Sequence, residues 1–291
     1  MFKIVKPFYL LINVTIIVGL LVIHFVLKES SYQSSLFFYT FPLPIIILII
    51  VLLSIFLSRK MRKYNLAIAF ILLIVWFSGS LKFHIADNVE ETDIEVVFWN
   101  ASHDRGFEET FKVNGGIPDV LVLVEMTEND FNKLQKKFPD YYFYKSVREI
   151  GIFSKLALKV VNEKSSKYNS TLINFETFGI NFHAVDVSAS MDVPRAWELG
   201  FINSLIKDTQ NTIILGDFNV PFESVHLNKI KEEFNHAFSK KGNGFRETWF
   251  WNLPLLSLDH IWVSKDLKVL KTEKVNTFKS DHSMIKTFIR K

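Results

Sequence analysis

Short apolar runs in this chain repeatedly end in carboxylate, amide or imidazole side chains. Val96-Val-Phe-Trp-Asn100 closes on Asn100, and Asp119-Val-Leu-Val-Leu-Val-Glu125 closes on Glu125. Gly179-Ile-Asn-Phe-His183 sets His183 within or at the end of a strand, and Ile213-Ile-Leu-Gly-Asp-Phe-Asn219 supplies Asp217 and Asn219. Ser257-Leu-Asp259 and Lys279-Ser-Asp-His282 add Asp259, Asp281 and His282. In Gly216-Asp217-Phe218-Asn219 the glycine allows a sharp exit from a buried strand. Strand alternation then points Asp217 and Asn219 the same way and turns Phe218 into packing. Asp281-His282 sets a carboxylate beside an imidazole, a pairing that fixes the tautomer or raises the basicity of the ring; Asp259, across the sheet, is the alternative partner. This is proton-transfer chemistry. The absence of cysteine excludes thiolate metal sites, cysteine nucleophiles and a disulfide scaffold.

The elements that would carry these residues are short. Strands are expected at Ile94–Trp99, Val120–Val124, Ile150–Phe153, Leu156–Val161, Leu172–Phe175, Ile180–Val187, Thr212–Leu215, Ile261–Val263 and Met284–Ile289, from their β-branched and aromatic content. Helical periodicity is expected over Thr127–Phe138, Pro194–Asp208 and about Phe222–Phe234, with Pro194 suited to a helix start. Many strands and few helices point to an α+β layered sandwich rather than a doubly wound sheet.

Taken in order, Asn100, Pro118–Glu125, Leu215–Asn219, Leu258–Ser264 and Ser280–His282 resemble the endonuclease/exonuclease/phosphatase superfamily, from about residue 93 to the C-terminus. Gly151–Lys155, Arg195 and Thr248-Trp249 are lesser echoes. The resemblance implies an α/β (α+β) four-layer sandwich, two packed β-sheets flanked by helices, with one cleft at the strand ends. It also implies a divalent cation, Mg²⁺ or a substitute such as Mn²⁺, with Glu125 as principal ligand and Asn100 close to it. Such a hard ion takes oxygen ligands and keeps several waters. By the same resemblance Asp217 orients or deprotonates the attacking water, and Asn219 holds it or a phosphate oxygen. His183 and His282 bond the phosphoryl oxygens, and Asp259 or Asp281 supports His282. His84, His103, His226 and His236 match none of these motifs, and His260 reads as non-catalytic.

The first third of the chain has a different character. Residues 7–27, between Lys6 and Lys28, contain no Asp, Glu, Lys or Arg; nor do the residues between Glu29 and Arg59, or the 18 between Lys63 and Lys82. A hydrocarbon core of about 30 Å needs roughly 20 apolar residues per helix, so three transmembrane helices are expected, at about 7–27, 36–57 and 64–81. Lys3 and Lys6, with the Arg59–Lys63 cluster, place the N-terminus in the cytoplasm and everything after residue 82 outside it, in a multi-pass cell-membrane protein. His24 reads as a neutral interfacial histidine. The organisation expected is a membrane anchor over 1–85, an acidic linker over 86–93 and a catalytic domain over 94–291.

Charge also bears on the substrate. Residues 1–85 carry eight Lys/Arg against one acid, whereas the remainder carries 26 against 29. The basic character therefore belongs to the apolar third, and the usual inference from high pI to a nucleic-acid partner fails. The expected substrate is a lipid-linked phosphate or pyrophosphate; the alternative is an extracytoplasmic nuclease. A binding module that kept the fold without activity is disfavoured, because no polar position of the pattern is missing.

Overall fold

The computed structural model describes residues 2–128 and 130–291, with side chains from Phe8 onward. The side chains of Lys3 and Lys6, expected to orient the first helix, lie outside the described residues. The chain divides into two compact units, Met1–Leu81 and Lys82–Lys291.

In the first unit, helix α1 (Phe2–Val22) runs into a π-helical turn, Ile23–Leu27. Helix α2 spans Tyr32–Thr40, α3 Leu43–Ser54 and α4 Arg59–Ser80. The window Phe8–Leu27 and helix α4 are long and apolar enough to cross a membrane, and α2 with α3 make a third candidate, bent by 71°. The continuous helix expected over 36–57 is therefore broken. Pro42, extended at ψ 160°, begins α3 and has no N–H with which to continue α2. A capping box at Ser31 and Ser34 closes the start of α2. Ile17, Ile46, Ile50, Ala69 and Leu72 form the buried seam, while Leu11, Val18, Leu52, Phe70 and Ile71 are exposed. An apolar outer surface of this kind suits lipid rather than water.

The second unit is built on two six-stranded mixed sheets. Its strands are β1 (Ile94–Asn100), β2 (Val120–Val124), β3 (Tyr142–Lys145), β4 (Gly151–Ser154), β5 (Lys159–Ser165), β6 (Thr171–Thr177), β7 (Ile180–Asp186), β8 (Thr212–Asp217), β9 (Phe234–His236), β10 (Asp259–Ser264), β11 (Lys268–Val275) and β12 (Met284–Arg290). One sheet has the order β11-β12-β1-β2-β4-β3 and the other β9-β10-β8-β7-β6-β5. The pairs β1/β2 and β7/β8 are parallel, and the other neighbours are antiparallel.

The inward rows of the two sheets make one core: Ile94, Val96 and Phe98 of β1; Val120, Val122 and Val124 of β2; Ile180, Phe182 and Ala184 of β7; Ile213 and Leu215 of β8; Ile261 and Val263 of β10. On the far side of the first sheet, Trp99, Leu121, Leu123 and Phe153 pack on Phe107 and Phe111 of helix α5 (Phe107–Asn114). Helix α6 (Phe131–Lys137) adds Leu134 to that cluster, and helix α7 (Arg195–Leu205) belongs to the other sheet. This is the layered sandwich expected, two sheets flanked by helices.

Several boundaries differ from expectation. The helix expected over Thr127–Phe138 begins only after Asp130, whose side chain caps Lys133 N. The region Phe222–Phe234 forms a short 3₁₀ turn and the helix Asn228–Glu233. Strand β11 escapes sequence reading because its alternation is filled with Lys, Thr and Glu. The acidic stretch before β1 lies along the second unit: Asp87 N donates to Leu270 O, and Asp93 receives both Arg290 Nε and Nη2 at 2.7 Å.

Candidate active site

The site arises where the inward rows of both sheets stop being apolar. Continuing each row by two residues gives Asn100 after Phe98, Asp186 after Ala184, Asp217 after Leu215 and Asp259 before Ile261. Side chains on one strand face alternate with period two, so all four look into the space between the sheets. Cross-strand register aligns three of them: Asp186 is level with Asp217, and Asp217 with Asp259.

Asn100 is 1% exposed, and its Nδ2 donates to Asp217 Oδ2 at 3.0 Å while its Oδ1 accepts from Ser102 N. His282 reaches the same carboxylate from the other side, with Nε2 4.0 Å from Asp217 Oδ2. Its Nδ1 lies 2.8 Å from Asp259 Oδ2. Thr248 Oγ1 holds the backbone N of Leu258 and Asp259, and Ser280 Oγ ties His282 N to Asn100 O. The result is a buried line, Asp259–His282–Asp217–Asn100, drawn from three strand ends and one loop.

Burial opposes charge on both ionisable types here. For Asp217, burial and the Asp259 carboxylate push the carboxyl well above its ordinary range. For His282, burial works to lower the value, but the charge and hydrogen bond of Asp259, followed by Asp217, outweigh it and lift the imidazole to about 10. A cationic imidazole thus faces a carboxyl with raised proton affinity.

Gly216 explains how Asp217 comes so close to β7. A Cβ there would lie 1.9 Å from Val185 O, so only glycine permits this strand approach. The reason for the glycine is close backbone packing rather than the sharp exit expected from sequence. Asn219 N donates to Asp217 Oδ1, Asn219 Nδ2 donates to Val187 O, and Arg195 Nε donates to Asn219 O. Asn219 therefore anchors the loop that orients Asp217.

Two sequence expectations need correction. His183 is not brought to the cluster. It sits on the opposite face of β7 from Phe182 and Ala184, both ring nitrogens buried without a hydrogen-bond partner. Burial holds it down at about 4, against the opposing pull of the Asp208 carboxylate. Asp281, expected as an alternative support for His282, turns elsewhere: Oδ1 accepts from Ser102 Oγ at 2.5 Å and Oδ2 from Trp249 Nε1 at 2.9 Å. Burial would raise Asp281, but the Ser102 bond, His282 and Trp249 hold it below its ordinary value.

Glu125 follows β2 in a left-handed conformation (φ 49°), as do Ser102, His103, Glu149 and Asn219 nearby. Non-glycine residues in that region cost about 1–3 kcal/mol each and persist where the surroundings demand them. The Glu125 carboxylate lies 3.4 Å from His103 Nε2, and His103 Nδ1 lies 2.9 Å from Glu149 Oε2. His103 matches no sequence motif and is visible only in the fold. Asp186 carries no sequence motif, and His183 on the same strand has the more suggestive side chain, but strand parity from Ile180, Phe182 and Ala184 selects residue 186. Burial and the Glu125 carboxylate raise Asp186 to about 7.

A divalent cation fits this donor set. Glu125 and Asn100 offer oxygen atoms on adjacent strand ends, and the Asp186 carboxylate accepts no hydrogen bond among the described residues. Asp217, Asp259 and His282 also have ligand atoms within 4.8 Å of one another. The 2.8 Å contact in that trio is an imidazole–carboxylate hydrogen bond, which a metal there would have to displace.

The comparisons with known proteins agree with the geometry. Residues 97–282 match the Endonuclease/Exonuclease/phosphatase family, while curated proteins yield no match. Among solved structures, an endonuclease/exonuclease/phosphatase family protein from Bacteroides thetaiotaomicron superposes with TM-score 0.52 at 14% identity, covering 69% of this chain and 98% of the other. A mannosyl-6-phosphatase from the same species gives 0.53 at 14%, covering 68% and 100%. D. rerio TDP2, complexed with a single strand DNA product, gives 0.50 at 14%, covering 69% and 100%. These similarities establish the fold, and the match over residues 97–282 identifies the chain as a member of the endonuclease/exonuclease/phosphatase family, whose members hydrolyse phosphoesters.

Proposed function

We propose that this protein is a membrane-anchored, Mg²⁺-dependent hydrolase of a lipid-linked phosphate or pyrophosphate, with its active site outside the cytoplasm. The observation that carries the catalytic part is the buried Asp259–His282–Asp217–Asn100 line at the mouth of the inter-sheet core. Glu125 and Asn100 would hold the cation, which when bound supplies charge neutralisation at the phosphate. Asp217, with its raised proton affinity, accepts a proton from the attacking water as the water oxygen bonds to phosphorus and the P–O bond breaks, the bonding pair leaving on the departing oxygen, which as an alkoxide takes its proton from solvent. His282, cationic through Asp259, donates a hydrogen bond from Nε2 to a phosphoryl oxygen as charge accumulates there. Asn219 and Arg195 keep the Asp217 loop in place. Asp281 positions the loop that carries His282.

The lipid part rests on two features. The chain carries helices long and apolar enough to cross a membrane, and the Lys/Arg cluster at Arg59–Lys63 favours a cytoplasmic loop between the second and third. In the second unit, Phe250, Trp251, Leu253 and Phe278 are 36%, 43%, 57% and 80% exposed. They belong to loops tied to the catalytic segment, since Trp251 N donates to Asp281 O and Thr277 N to Asn252 Oδ1. Exposed aromatics of this kind suit the boundary between headgroup and acyl chain.

The test is full-length protein in detergent with Mg²⁺, assayed in parallel on a polyprenyl pyrophosphate and on supercoiled plasmid, with Asp217→Ala as the blank. Phosphate release without nicking supports the lipid reading. Nicking without phosphate release replaces it with a surface nuclease.

A further inference from the structure

We infer that Asp186 is a second carboxylate ligand of the divalent cation, beside Glu125. This rests on the metal-dependent reading above. The inward row of β7 runs Ile180, Phe182, Ala184 and then Asp186, so the last side chain enters the cleft rather than the helix-covered face. Parallel register sets Asp186 level with Asp217, and the glycine-dependent approach of Val185 to Gly216 keeps the two strand ends close.

The chemistry of that position is what calls for a cation. Asp186 is partly buried, and no described residue donates a hydrogen bond to its carboxylate. Like-charged carboxylates sharing a low-dielectric space repel unless something positive stands between them. The imidazoles at hand are already engaged: His103 lies between Glu149 at 2.9 Å and Glu125 at 3.4 Å, and His282 pairs with Asp259 at 2.8 Å. An anionic phosphate would add to the repulsion. A hard divalent ion bound by one or two carboxylates, with water and substrate oxygens completing its shell, resolves it. The resemblance had called for an imidazole on this strand, which would donate to a phosphoryl oxygen. A carboxylate can only accept, so this chain exchanges a donor for a ligand and leans more heavily on its metal.

The experiment is Mn²⁺ binding to full-length protein in detergent, followed by electron paramagnetic resonance of the free ion and by the Mn²⁺-induced rise in melting temperature. Glu125→Gln, Asp186→Asn and His183→Phe are compared with the unaltered chain. Asp186→Asn should weaken Mn²⁺ by at least about 10-fold, in the range found when the shell of a metal site is disturbed. Its metal-free melting temperature should stay level or rise, because a carboxylate repulsion is removed. His183→Phe, on the other face of the same strand, should bind Mn²⁺ as before. If Asp186→Asn keeps full affinity while Glu125→Gln loses it, Asp186 is no ligand and the metal reading stands. If Glu125→Gln keeps full affinity as well, the metal reading itself fails.

Discussion

His282 Nδ1 lies 2.8 Å from Asp259 Oδ2, although Asp281 is the carboxylate next to it in sequence. The neighbouring carboxylate is occupied by Ser102 and Trp249, so the imidazole takes its support from across the sandwich. That pairing lifts His282 to about 10 against the effect of burial and leaves Nε2 directed at Asp217. It therefore governs which pH range the site can use.

The alkaline limb of the rate profile should report this. His282 donates only while protonated, so kcat/KM should hold through neutrality and fall as pH rises towards about 10. In Asp259→Asn the support is lost and the limb should move down towards the 6.5 of an ordinary imidazole. An unmoved limb in Asp259→Asn would show that another group sets it. Asp281→Asn, by contrast, should lower activity through loop position and leave the limb nearly where it was.

His183 should matter for stability and not for catalysis. Its folded value is held at about 4 by burial, below the 6.5 of an exposed imidazole. A depressed histidine means that the unfolded chain binds the extra proton, so stability is intact above pH 6.5 and drains as pH falls towards 4. The loss for this residue is about 3 kcal/mol at most. His183→Phe should thus reduce acid lability in urea titrations between pH 4 and 6.5 while retaining activity. A loss of activity in a folded His183→Phe protein would restore the role that the family resemblance suggested.

Gly216→Ala tests the approach of β7 and β8. The added carbon meets Val185 O at 1.9 Å and Val185 C at 2.6 Å, backbone atoms that cannot swing away as the end of a flexible side chain could. Destabilisation of about 1–3 kcal/mol is expected, the usual range for overpacking. Activity should fall further than stability, because the strand shift displaces Asp217 relative to Asp186. Denaturant midpoints read beside kcat would separate the two effects.

The aromatic rim makes a prediction about substrate rather than chemistry. Trp251→Ala and Phe278→Ser should raise KM for a vesicle-borne phosphate ester by about 10-fold or more, since each buried large side chain contributes about 1.5–3 kcal/mol. Turnover of a small soluble phosphate monoester should change little. Equal losses on both substrates would tie the rim to the active-site loops alone.

Much of this was legible beforehand. The two-sheet sandwich follows from many short β-branched runs, and most site residues follow from apolar runs that end in polar side chains. Asn100, Asp217, Asp259 and His282, each at the polar end of such a run or beside one, lie together in the structure. The apolar character of the first third is marked by where charge is absent. These are local properties, written in hydropathy and period.

What the tertiary structure decided is which face and which partner. Asp259 rather than Asp281 supports His282, because loop closure by Ser102 and Trp249 claims the nearer carboxylate. Asp186 rather than His183 enters the cleft, because strand parity is counted from the core and not from the residue with the more suggestive chemistry. His103 meets Glu125 and Glu149 only once three separate chain turns are brought together. The second apolar segment became two helices because Pro42 removes a donor where the helix would have continued. In each case the physical reason is the same: residue type sets what a side chain can do, and packing of distant segments sets which other group it meets.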